Sequence, residues 1–192
     1  MTDRFLSAGL LRQLAWIAYA SGVIAAIGLA ALIVMYALFA VGATSPALAF
    51  GWVNDTLGIV GAVLMVPLAW GLHVLLRPGA PILSAVALTI GLAAMLAIAA
   101  LQSLLVAGAL AFADEVGPVS IAFLALGVWL VMTGYLGKRS GALPWGSRMG
   151  LLGATYVGYP IWAFRLGRHL LHLAGGPVSS PTSSAPEGLT LR

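Results

Sequence analysis

The chain is written in long apolar runs with short polar punctuation between them. Five runs are long enough to cross a bilayer as helices, covering roughly 13–40, 55–77, 82–110, 117–137 and 147–170. Between them stand GATSP at 42–46, Arg77-Pro78-Gly79, ADEVGP at 113–118 and GKRSGALPWGS at 137–147. The Asn54-Asp55 pair reads as the cap that opens the second run, and Pro81 as the opening of the third. Inside hydrocarbon every backbone amide must find its partner within the segment, so the runs are helices. The expected fold is all-α: a polytopic bundle of five transmembrane helices over 13–173, with a cytoplasmic N-terminus at 1–12 and a C-terminal tail at 174–192. The first run carries about 27 apolar residues, far beyond a signal-peptide core, so it is read as an uncleaved span despite the small-residue PALA at 46–49.

Composition sharpens this picture. Of 192 residues, 61% are hydrophobic and 7% charged, against roughly 25% charged in soluble domains. A net charge of +4 carried by so few residues makes no basic face, so nucleic acid is excluded as a partner. With no cysteine there is no disulfide, thiolate metal site or cysteine nucleophile.

With five spans, the N-terminal side of the membrane receives Arg4, Arg12, Arg77, Lys138, Arg139 and Arg148, and the other side Arg165, Arg168 and Arg192. Because basic residues favour the cytoplasmic side, the expected protein is a multi-pass inner-membrane protein with its N-terminus cytoplasmic and its C-terminus external. Trp16, Tyr135 and Trp145 are expected at the inner interface, and Trp52, Phe112 and Trp162 at the outer one. The stretch GYPIWAFRLGRHLLHL at 158–173 strains the charge rule. Its Arg165, Arg168, His169 and His172 share one face and are read as headgroup contacts on an interfacial continuation of the last span. The rival is a four-span chain whose last helix is re-entrant and returns the arginines to the cytoplasm.

Membrane helices associate where small side chains let backbones approach. The last run carries Gly146, Gly150, Ala154 and Gly158 at every fourth position, and the third carries two such stripes, Ala85-Thr89-Ala93-Ala97 and Ser84-Ala87-Gly91-Ala94. These two helices are expected to pack against each other or across an oligomer interface. Pro67 and Pro160 are expected to kink their helices. Gln102 and Ser103 are the most polar pair within the third span and, with Pro67, form the candidate ligand-binding set. Asp55, Asp114 and Glu115 fall at span ends, where capping and solvation account for them.

No serine–histidine–acid set, HExxH or phosphate loop is present. His73 lies at the opposite membrane face from His169 and His172, and His169-x-x-His172 lacks a third ligand, so no metal and no cofactor are expected. The tail GGPVSSPTSSAPEGLTLR at 175–192 has nothing to bury and is expected to be disordered. The functional expectation is a non-enzymatic membrane protein that acts through helix packing, as a homo-oligomer or as an accessory subunit beside a membrane-protein partner, with membrane lipids around it. The alternatives are a carrier or sensor of a small apolar or lipid-like ligand, and an intramembrane enzyme.

The second-span ending HVLLRP at 73–78, and the loop YLGKRSGALPWGSRMG at 135–150 with its basic pair and Leu-Pro-aromatic step, resemble an uncharacterised bacterial membrane family catalogued as domain of unknown function 4386. The similarity runs over roughly residues 5–170. This resemblance implies a small bacterial inner-membrane protein with no assigned reaction, and it lends no catalytic residue.

Overall fold

A computed structural model describes residues 6–143 and 146–175, which form six α-helices: α1 (Ala8–Ala40), α2 (Thr44–Leu76), α3 (Pro81–Val106), α4 (Phe112–Arg139), α5 (Gly146–Gly153) and α6 (Gly158–Gly175). No strand occurs among the described residues. Helices α1 to α4 are long and apolar enough to cross a membrane. Of the expected tail at 174–192, Ala174 and Gly175 instead end α6, and 176–192 lie outside the described residues, as do the interfacial Trp145 and the charges at Arg4 and Arg192.

Local chemistry sets the helix ends. The Ser7 side chain accepts the Leu10 N–H and caps α1. Pro81 opens α3, as its missing N–H allows. Gly42, Gly108 and Gly141 stand in three of the five interhelical turns at φ of 76°, 70° and 73°, a backbone region that side chains disfavour. The expected cap at Asn54-Asp55 is corrected: both residues lie inside α2, which already begins at Thr44. Nothing in TSPALAFGWV stops a helix, because Pro46 falls in the first turn, where no N–H is required.

The larger correction concerns the last run. It is broken at Ala154–Val157 into α5 and α6. Helix α5 rises along α4, with Gly146 against Gly134, Gly150 against Leu130 and Ala154 against Gly127. The chain then turns, and α6 descends along α1, with Pro160 and Ala163 against Gly22 and Gly167 against Ala15 and Tyr19. At its far end His169 Nε2 lies 2.8 Å from the Ala142 carbonyl oxygen, in the turn from which α5 set out. The two helices are therefore a hairpin that enters the bundle and returns to the end where it began. Pro160 stands in the first turn of α6 and starts that helix instead of kinking it.

The helices pack in sequence order around a ring that closes from α6 to α1, and among the described residues α3 does not touch α5. The small-residue ladder thus meets α4 of the same chain, contrary to the expected pairing with the third span. On α3 the stripe Ser84-Ala87-Gly91-Ala94 is buried, Gly91 lying under the Trp129 ring, while Ala85, Thr89 and Ala93 face outward. Trp162, expected at the membrane surface, is wholly buried and meets Trp129 edge to face with ring centres 6.2 Å apart. Trp16, Tyr135, Trp52 and Phe112 are exposed.

A Cβ on Gly150 would stand 2.6 Å from the Leu130 carbonyl oxygen, which is backbone and cannot step aside. Gly150→Val is expected to lower stability by about 1–3 kcal/mol, whereas Gly117→Ala on α4, with open space around it, is expected to be neutral or stabilising by up to about 1 kcal/mol. Unfolding of both variants in detergent micelles checks this, and equal stability would remove the close α4–α5 approach.

Candidate functional site

Helices α1 and α4 make no contact among the described residues, and the α5–α6 hairpin fills the gap between them only in one half of the bundle. The other half is left with a cavity of about 150 Å³. Helix α2 forms its back through Leu57, Gly58 and Gly61, α1 and α4 form its sides, and the turn at Ala154–Tyr156 forms its floor. Glycines at 28, 58, 61 and 127 line it, and at Gly61 a Cβ would meet only the Ile24 side chain, at 3.8 Å. Tyr156, on the rim, is 42% exposed and lies beside Phe123 with ring centres 6.0 Å apart and planes inclined by 58°.

Two short hydrogen-bond chains supply its polarity. Tyr159 Oη donates to Ser21 Oγ at 3.1 Å, and Ser21 Oγ donates to the Ala18 carbonyl at 2.9 Å. Tyr156 Oη donates to Asn54 Oδ1 at 3.2 Å, and Asn54 Nδ2 donates to Asp55 Oδ1 at 3.3 Å. No His, Asp, Glu, Lys or Arg lines the cavity, so its walls suit binding of an apolar body through a few hydrogen bonds, without acid–base chemistry.

The candidate ligand-binding set is dispersed. Gln102 is buried at 4% exposure, with Oε1 lacking a hydrogen-bond partner and its amide laid over Gly58 in the cavity's back wall. Ser103 is exposed and donates to the Ala99 carbonyl at 2.6 Å. Pro67 lies half-buried within α2, two residues past Met65 at the cavity edge. Only Gln102 therefore adjoins the site. Of the basic stripe, Arg165, Arg168 and His172 are exposed on α6. His169 is half-buried and holds the Ala142 carbonyl, so its expected role as a headgroup contact gives way to pinning the hairpin. Glu115, expected in solvent, is 3% exposed and within electrostatic reach of Asp55. On the basic side, His73 Nδ1 is buried without a partner beside a void of about 10 Å³ that Ser84 and Thr133 also line, the size of one water.

The sequence pattern marks Asn54 only as a cap and does not single out Ser21, Tyr156 or Tyr159. The available signal was Thr155-Tyr156-Val157-Gly158-Tyr159-Pro160, where a threonine and a proline at helix-starting distance bracket two tyrosines in a supposedly continuous span. Compared with family models, curated proteins and solved structures, the chain matches none.

Gly58→Ala places its methyl group on the Gln102 amide and is expected to lower stability by about 1–3 kcal/mol. In a Gln102→Ala background the same change is expected to cost at least about 1 kcal/mol less. A double-mutant cycle on unfolding in detergent measures this coupling, and additive effects would separate Gln102 from the cavity wall.

Proposed function

We propose that the chain is a four-span protein of a bacterial inner membrane, with α5 and α6 as a re-entrant hairpin, and that it binds a small, mostly apolar molecule drawn from the bilayer. The cavity carries this reading: at about 150 Å³, with apolar walls and few hydrogen-bonding groups, it matches cavities that take up a benzene-sized body. Its place where α1 and α4 part gives a lateral entrance from lipid. The activity is binding, as carrier or sensor, and not catalysis. The resemblance to domain of unknown function 4386 stays within this proposal, resting on HVLLRP and YLGKRSGALPWGSRMG alone.

Charge supports the orientation. Arg12, Arg77, Lys138, Arg139, Arg148, Arg165 and Arg168 belong to the half that holds the α2–α3 and α4–α5 turns, while Asp55, Asp114 and Glu115 belong to the other. The basic half is assigned to the cytoplasm, together with the end of α6. A second reading, association as a homo-oligomer or accessory subunit, is favoured by the outward stripe Ala85, Thr89 and Ala93 on α3; the ladder at 146–158 is already covered by α4.

Because the chain has no cysteine, single substitutions report topology directly. Gly79→Cys and His172→Cys are expected to react with a membrane-impermeant maleimide from the cytoplasmic side only, and Ala109→Cys from the opposite side only. Labelling of His172→Cys alongside Ala109→Cys would restore five spans. For binding, ring-sized hydrophobes such as toluene are expected to raise the unfolding temperature of the wild type. Gly61→Leu, which fills the cavity, is expected to abolish that rise; an equal rise in both would place the effect elsewhere.

A further inference from the structure

The cavity's hydrogen-bonding capacity is one-sided. Tyr159 Oη donates to Ser21, Ser21 Oγ donates to Ala18, and Tyr156 Oη donates to Asn54. The hydroxyl hydrogens of these three residues are engaged within the chain, so their oxygens present lone pairs to an occupant. Behind the back wall, Gln102 Oε1 is a further buried acceptor with no partner. A carbonyl or carboxylate entering this space would meet oxygens, whereas an N–H or O–H donor would find acceptors at Tyr156, Asn54, Tyr159 and Ser21.

Charge points independently in the same direction. Asp55 is bonded to Asn54, a lining residue, and Glu115 is buried within electrostatic reach of Asp55. No Lys or Arg among the described residues stands in that half of the bundle. Two carboxylates so placed favour a cation, and Phe123, Tyr156 and Tyr159 among the lining residues bring aromatic rings of the kind that attract one.

We infer that the occupant of this cavity is a lipophilic amine in its ammonium form, its ring-sized apolar body against the glycine-rich wall and its N–H groups on the oxygens of Tyr156 and Asn54, with the Asp55 carboxylate behind Asn54. This rests on the cavity-binding reading above and names the ligand class for it.

Three probes of equal bulk test it: 2-phenylethylammonium, 2-phenylethanol and phenylacetate, bound to the protein in lipid nanodiscs by equilibrium dialysis. The ammonium is expected to bind at least about tenfold more tightly than the alcohol, and phenylacetate more weakly than both. Asp55→Asn is expected to weaken the ammonium at least about fivefold while leaving the alcohol unchanged, with Glu115→Gln as a second variant acting in the same direction. Phenylacetate binding as tightly as the ammonium, or an ammonium affinity untouched by both variants, overturns the inference. Binding of the alcohol that Gly61→Leu abolishes, without preference for the ammonium, overturns the amine while leaving the cavity reading; no binding by any probe overturns both.

Discussion

Backbone meets backbone where α4 and α5 come together at Gly134 and Gly146, because neither residue has a side chain to hold the helices apart. Lipid offers no hydrophobic drive for helices to associate, so such close approach, with its dispersion contacts, replaces it. This contact aligns α5 along the cytoplasmic-assigned half of α4 and carries the turn at Ala154–Val157 to the level of Gly127, near the middle of α4. From there α6 returns along α1, Trp162 reaches Trp129, and the far half of the α1–α4 gap stays unfilled. A bulky side chain at this contact would displace the hairpin and with it both the tryptophan core and the cavity floor.

A helix break at that depth requires partners for its backbone groups, since an exposed amide in hydrocarbon costs several kcal/mol. The chain supplies them locally. Ala154 N–H reaches the Gly150 carbonyl at 3.0 Å, and the Thr155 carbonyl takes the N–H groups of Gly158 and Tyr159, each at 3.1 Å. Thr155 Oγ1 takes the Gly158 N–H as well, at 3.0 Å. Pro160, without an N–H, leaves one donor fewer to satisfy. Irregular backbone is tolerated at membrane depth where it lines a cavity, which is what Ala154, Thr155 and Tyr156 do here.

The spans and turns were legible because they depend on local chemistry: apolar length, glycine at left-handed turns, proline at a helix start. The second half of the fifth run was not, since its hydropathy and that of a re-entrant pair are nearly alike, and window averages pass over a break of four residues. The ladder Gly146-Gly150-Ala154-Gly158 was recognised as a packing surface, yet spacing alone cannot name the partner, which topology supplied as α4. The same limit hid the cavity. Asn54 reads as a cap, and nothing in its spacing marks Tyr156, until the hairpin brings residues 102 positions apart within 3.2 Å. Gln102 was singled out by polarity, but Ser103 beside it turns outward, a distinction that depends on where α2 lies and not on residue type.

The proposed re-entrant path also accounts for the strain in the charge pattern. Under five spans, Arg165 and Arg168 oppose the basic residues of the other loops; along the hairpin they rejoin Arg12, Arg77, Lys138 and Arg139 in one half. Segregation of the basic residues leaves Asp55 and Glu115 without a cationic neighbour among the described residues, beside the half of the bundle that the hairpin fails to fill. One structural feature, the turn back at Thr155, thus leaves the cavity open in the half of the bundle that holds Asp55 and Glu115 and no described basic residue. Volume and charge arise together because the helix that would have filled the space is the one that carried the arginines away from it.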